Sequence, residues 1–157
     1  MIAVIQRVSR AAVSVDGEIK GKCEKGLLVL AAVTVDDSEE DLILLAEKIS
    51  KLRIFSDENG KLNFSVKDVG GSVLAVSNFT LAGSCKRGNR PDFALSAPYA
   101  EAEKLFDRFT EHLRERVGTV ETGVFGADME VSLINDGPLT VILDSRELRP
   151  KMSKNQI

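Results

Sequence analysis

The sequence predicts an α+β fold, and three observations predict it. Apolar runs with strand patterning fill both ends of the chain, from Ile2 to Cys23 and from Val120 to Leu143. Two stretches between them, after Ser38 and after Pro98, carry apolar residues at helical spacing instead. No repeat, linker or low-complexity segment divides the chain, so strands with two main helices inserted belong to a single domain. With 157 residues, 43% hydrophobic and 29% charged, it can bury one core without disulfide or metal staples.

Taken in order, Ile2 to Val8 and Ala11 to Val15 read as strands, and Asp16-Gly17 as a hairpin turn into Glu18 to Cys23. Gly26 to Val33 is continuously apolar, the pattern of a strand buried on both faces. Ser38 starts a helix, with Asp41 in the answering position of a capping box. Leu42, Leu45, Ile49 and Leu52 then form one apolar stripe. Asp57 to Gly60 is a turn and Ser72 to Phe79 another strand. Pro98 suits the first turn of a second helix, with the stripe Tyr99, Ala102, Phe106, Phe109, Leu113 and Val117 and a stop at Gly118. Strands follow at Val120 to Val124, Met129 to Asn135 and Leu139 to Leu143, the last two joined by Asp136-Gly137-Pro138 as a tight turn. The domain is expected to span residues 1–145, and the polar residues 146–157 to form a loose tail.

Composition narrows the function. A net charge of −3 argues against a long nucleic-acid track and against DNA as a partner. Lys86, Arg87 and Arg90 are the one compact basic cluster, either a solvated loop or a local phosphate contact. Met1 to Val8 contains Gln6 and Arg7 and lacks the apolar core of a signal peptide, and no run is long enough for a membrane helix. Cys23 and Cys85 have no metal spacing, so reduced thiols and a cytoplasmic location are expected. The single histidine, His112, lies off the apolar stripe of the second helix and is expected to face solvent. That removes a Ser-His-Asp triad and a multi-histidine zinc site, and no carboxylate cluster has ligand spacing. A hydrolase built on this chain would work without a histidine base or a metal.

Three segments carry a resemblance: Met1-Ile2-Ala3-Val4-Ile5-Gln6-Arg7-Val8, Ser77-Asn78-Phe79-Thr80-Leu81 and Asn135-Asp136-Gly137-Pro138-Leu139-Thr140. With Leu52-Arg53-Ile54-Phe55, Asp68-Val69-Gly70-Gly71, Arg90-Pro91 and Glu121 to Met129 in the same order, the chain resembles the D-aminoacyl-tRNA deacylases from Met1 to about Ser145. The resemblance implies a β/β/α layered, barrel-like fold and a homodimer. It implies hydrolysis of the ester at the acceptor end of D-aminoacyl-tRNA, to free D-amino acid and tRNA, with no cofactor or metal. A noncatalytic module that binds tRNA ends or a protein partner is the rival reading.

By the same resemblance Ser77, Asn78, Phe79 and Thr80 form the catalytic segment. Asn78 departs from the family, which usually has glutamine there, and its amide reaches one methylene less far. Strict alternation would put Ser77 and Phe79 on one face and Asn78 and Thr80 on the other, so the segment acts as a unit only if the strand bends or ends there. Thr80 has no base beside it in sequence. It can attack only if activated, can be a strand residue with a satisfied hydroxyl, or can position a substrate whose own 2′-hydroxyl assists. Phe79 could pack on substrate, Phe125 stack on the terminal adenine, and Met129 form an adaptable wall. By pattern alone each is equally a core residue.

Gly137-Pro138 presents bare backbone. If the bond is cis, two carbonyls can point the same way, hold an α-amino group and collide with the side chain of an L-residue. Resemblance places this turn in the partner's site. Arg7 either braces it through its carbonyls or faces outward from an edge strand.

Overall fold

One uninterrupted strand, β1 (Ile2–Val15), forms the axis of the fold in the computed structural model, which describes residues 1–150. The remaining elements are β2 (Glu18–Cys23), β3 (Gly26–Ala32), α1 (Glu39–Lys51), β4 (Phe55–Ser56), β5 (Leu62–Phe64) and β6 (Ser72–Ser77). A 3-10 turn (Phe79–Ala82), α2 (Tyr99–Val117), β7 (Val120–Thr122), β8 (Glu130–Asp144) and α3 (Ser145–Leu148) complete them. The two strands expected within Ile2 to Val15 are one. The polar Ser9-Arg10 step breaks the apolar pattern, but pairing with β8 continues across it, Val8 opposite Asn135 and Arg10 opposite Ile134.

β1 pairs with β3 through its first half and with β2 through its second, while β8 runs antiparallel along nearly its whole length. The main sheet runs β2-β1-β3-β6-β7. The β3–β6 and β6–β7 pairs are parallel, which requires the crossovers that α1 and α2 supply. Backbone closeness sets the glycine at two positions. A Cβ on Gly26 would stand 1.8 Å from the Ser72 carbonyl, and one on Gly21 2.5 Å from the Thr122 carbonyl. The second contact brings β2 against β7, so the sheet curls almost into a barrel. Asp16 (φ 51°) and Gly17 (φ 78°) make the hairpin turn with both residues left-handed.

One apolar cluster lies between the sheet and the helices, with Ala3, Ile5, Leu27, Leu45, Ile49 and Phe109 at its centre. A second, smaller one gathers Val8, Val13, Leu28, Leu74 and Val76 inside the curl. The capping box forms: the Asp41 carboxylate accepts from the Ser38 N–H at 2.9 Å and from its hydroxyl at 3.0 Å. Leu42, Leu45 and Ile49 are buried as the stripe requires. The second helix starts after Pro98 and stops at Gly118, whose φ is 99°.

Three expectations are corrected. His112 is buried rather than solvent-facing: its Nε2 lies 2.6 Å from Glu39 Oε1, which also accepts from Arg108 Nη2 at 2.8 Å. The helix pattern located the sheet-facing stripe but could not show that α1 covers the neighbouring arc of α2. Nor does the tail begin at residue 146. Beyond Ser145, which is buried at the expected domain edge, the chain continues as the helix α3, and Arg149 grips Asp41 with two bonds of 2.9 and 2.8 Å. A short helix flanked by polar residues has no periodicity to betray it. Residues 151–157 of the expected tail lie outside the described residues.

The third correction concerns Asp136-Gly137-Pro138. They do not turn a hairpin. Residues on both sides pair with the same neighbour, Thr140 opposite Gln6 and Asn135 opposite Val8, so the segment is a bulge looped out of one continuous strand.

Candidate active site

The strand β6 ends at Ser77, and its last residues enter a 3-10 turn that begins at Phe79. That break resolves the alternation problem, since residues 77 to 80 no longer have to point to opposite faces. Ser77, Asn78, Phe79 and Thr80 all line one cleft of about 710 Å³. The cleft opens beside the second apolar cluster, with Leu28, Leu30 and Val76 as its floor. Asn78 is anchored by its backbone N–H to the Ala31 carbonyl at 2.8 Å.

The Thr80 hydroxyl lies 2.5 Å from the Asn78 side-chain oxygen and donates to it. An amide oxygen accepts a hydrogen bond but does not remove a proton, so this contact orients the hydroxyl without activating it. The Asn78 side chain thus folds back on Thr80. Among the described residues, the backbone N–H groups of Phe79 and Thr80 have no hydrogen-bond acceptor. They are the free donors at the start of a helical turn. The Phe79 ring is exposed and meets Phe93 edge-on at 5.1 Å, while its carbonyl accepts from the Ser96 hydroxyl at 3.2 Å.

Phe125 and Met129 stand on the opposite wall. Phe125 is half-buried, edge-on to Tyr99 at 5.2 Å and tilted against Phe106 at 5.9 Å. Gly126 (φ 74°) lets the chain pass Tyr99, whose hydroxyl oxygen would be 2.3 Å from a Cβ there. Tyr99 stood in the helical stripe as a core residue, yet it is exposed and lines the cleft. Its place in the first turn, beyond the sheet's cover, is the signal that separates it from Phe106 and Phe109. Gln6 also lines the cleft, and its Nε2 lies 3.3 Å from Thr140 Oγ1.

Gly137 and Pro138 are exposed and joined by a cis bond, and neither lines the cleft of its own chain. Arg7 sits half-buried beneath the bulge. Its Nε donates to the Asp136 carbonyl at 3.0 Å and its Nη1 to the Ile54 carbonyl at 2.8 Å. The carbonyl it holds is thus the one ahead of Gly137. Asn135 ties the other side, accepting from the Leu139 N–H at 3.0 Å and donating to the Thr140 hydroxyl at 3.1 Å.

Lys86, Arg87 and Arg90 lie exposed on a loop closed at its base by paired backbone bonds between Ser84 and Asp92, 2.8 and 2.9 Å. None of the three has an acidic partner among the described residues. Both cysteines are unpaired, and burial pushes the Cys23 thiol up to about 11. Among the described residues no group of three or more His, Cys, Asp or Glu side chains is placed to hold a metal. No helix among them is long and apolar enough to cross a membrane.

This arrangement has relatives. Residues 4–144 match the family model of D-Tyr-tRNA(Tyr) deacylase. A D-aminoacyl-tRNA deacylase of Chlorobaculum tepidum is 55% identical over 146 residues, covering 92% of this chain and 97% of the relative. One from Thermotoga petrophila is 54% identical over 148 residues, 94% of this chain and 99% of the relative. Among solved structures, the c-Myc DNA Unwinding Element Binding Protein superposes with a TM-score of 0.87 at 41% identity, covering 92% of this chain and 98% of that one. With half its residues shared over almost its full length, this chain belongs to the D-Tyr-tRNA(Tyr) deacylase family of hydrolases.

Proposed function

We propose that the protein hydrolyses the ester of D-aminoacyl-tRNA and rejects the L-form through the backbone at Gly137-Pro138, a chiral proofreading step in translation. The observation that carries the chemistry is the Thr80 hydroxyl bonded to the Asn78 amide oxygen, with no base at hand. Thr80 then positions the substrate, and the vicinal 2′-hydroxyl of the terminal ribose assists water at the carbonyl carbon. The free N–H groups of Phe79 and Thr80 suit the oxyanion that develops there. The C–O bond to the ribose breaks, the ribose oxygen takes up a proton, and free D-amino acid and tRNA leave. Phe125 offers a face to the terminal adenine and Met129 a yielding wall to the side chain.

Selection by Gly137-Pro138 requires a second copy. The bulge stands out from an edge strand, away from its own cleft, and Arg7 and Asn135 hold it from below. A homodimer that inserts each bulge into the partner's cleft makes both sites complete. Carbonyl oxygens there hold the α-ammonium group and leave no room for an L-side chain. Lys86, Arg87 and Arg90 take phosphates near the acceptor end. Charged tRNA and two unpaired cysteines fit a cytoplasmic protein.

The rival is a noncatalytic module for tRNA ends or a protein partner. Asn78 favours it, as does the DNA-binding name of one solved relative. The net charge of −3 speaks against DNA here. Hydrolysis of D- and L-tyrosyl-tRNA by wild type and Thr80→Ala, with EDTA present, separates the readings. The proposal expects release of D-tyrosine alone, with Thr80→Ala within about tenfold of wild type, less than the usual ~100-fold or greater cost of losing a general base. Loss of all activity in Thr80→Ala would return the threonine to the chemistry. No release by folded wild type would favour the module.

A further inference from the structure

A second concavity lies between the C-terminal end of α1, the β4–β5 hairpin and the last turn of α2, with a volume of about 510 Å³. Lys51, Arg53, Lys67 and Arg116 line it, against Asp68 as the one carboxylate. Lys51 is paired with Glu47 at 2.5 Å and Arg116 lies 3.8 Å from Glu115, which leaves Arg53 and Lys67 as the cations facing the groove without a carboxylate within salt-bridge distance among the described residues. Lys51 and Arg116 close the last turns of two helices, where cations complement the dipole. Arg53 and Lys67 belong to no helix, so that role does not account for them.

The groove is built rather than incidental. Arg53 is pinned by Nε to the Asn63 carbonyl at 2.9 Å and by Nη2 to the Asn63 amide oxygen, which leaves Nη1 free. Arg116 is held by Nη1 on the His112 carbonyl at 2.9 Å. A guanidinium already fixed in place loses little freedom on meeting a phosphate. Asp68 is exposed and accepts the Ser65 N–H at 2.8 Å; that bond first, and the nearby charges of Arg53 and Lys67 after it, keep its carboxyl below the ordinary range. Lys67 has no acidic partner among the described residues.

Position suits a polyanion that reaches the site. Arg53 precedes Ile54, whose carbonyl takes Arg7 Nη1, and the same guanidinium holds the Asp136 carbonyl beside Gly137. Groove and bulge therefore share one anchor. In a dimer that seats the bulge in the partner's cleft, the groove would travel with it toward that cleft, because Arg7 ties both together. We propose that this groove binds the phosphodiester backbone of the tRNA beyond its acceptor end, on the subunit opposite the one that holds the ester. The inference rests on the deacylase dimer of the preceding subsection.

The test is binding of uncharged tRNA, read by fluorescence anisotropy over a series of salt concentrations. It compares wild type with the double variant Arg53→Gln, Lys67→Gln and with Lys22→Gln, which removes one charge from the exposed face of β2. The double variant should bind at least about fivefold more weakly, with a log Kd against log salt slope lower by about 1 to 2, as for two lost phosphate contacts. Lys22→Gln should match wild type, and the melting curves should overlay. An unchanged affinity and slope in the double variant, or equal weakening by Lys22→Gln, overturns the groove. Wild type that binds tRNA through the groove yet releases no D-amino acid from D-tyrosyl-tRNA would remove the deacylase reading and leave the groove standing.

Discussion

Gly137 shows how little room a single position leaves. Its φ of 144° is one that side chains avoid, and a Cβ would stand 2.6 Å from the Leu139 nitrogen and 3.1 Å from the Leu139 Cβ. Gly137→Ala must therefore move the bulge, at a cost of about 1–3 kcal/mol in stability. If these carbonyls select the substrate, the D/L rate ratio should fall by about tenfold or more, because small displacements of a positioning group are costly. Rates on matched D- and L-tyrosyl-tRNA, with a melting curve to confirm folding, measure it. An unchanged ratio would sink the carbonyl filter. Of the site residues, Ser77 to Thr80, Phe125 and Met129 were legible as motif members and do share one cleft. Tyr99 was missed, since at the start of an amphipathic helix a cleft-facing aromatic and a core aromatic have the same spacing.

At the level of elements, α1 is held at both ends by charge. Burial raises the Asp41 carboxyl, but the Ser38 N–H, the Arg149 guanidinium and the Ser145 and Ser38 hydroxyls outweigh it, leaving the pKa below its ordinary 3.8. A carboxyl lowered on folding stabilises the native state fully above its unfolded value, and that contribution disappears as pH falls through the folded one. Thermal stability should thus decline below about pH 4. Glu39, Asp57, Asp68 and Asp144, all lowered by hydrogen bonds, act in the same direction. Asp41→Asn should cost about 2 kcal/mol at neutral pH and flatten part of the acid limb. Melting temperatures of both proteins from pH 3 to 7 test this, and parallel acid limbs would contradict it.

For the molecule as a whole, the uncovered face of β8 is the feature that calls for a partner. Ile142 is 72% exposed on the edge strand β8, and Ile134, Leu133 and Val131 on the same strand are also exposed. A long edge with uncovered apolar side chains invites a second chain. Light scattering should give twice the 17.1 kDa of one chain. Ile142→Glu should shift the mass toward the monomer and, on the proposal that each cleft takes the partner's Gly137-Pro138, reduce D-tyrosyl-tRNA hydrolysis with it. A monomeric variant with full, D-selective activity would show that one chain suffices.

Local pattern in the sequence was enough for the α+β class, both main helices with their caps and stripes, the buried strand β3 and the family. Those properties are set by neighbours three or four residues apart, or by the order of short motifs. It took the folded chain to show that Ile2 to Val15 is one strand, that Asp136-Gly137-Pro138 is a bulge and not a tight turn between two strands, and that Arg149 packs onto the domain. The folded chain also showed that His112 is enclosed by α1. Each of these depends on what a distant segment places alongside, because strand register, the cover over a helix face and the partner of a charge are long-range contacts with no local periodicity.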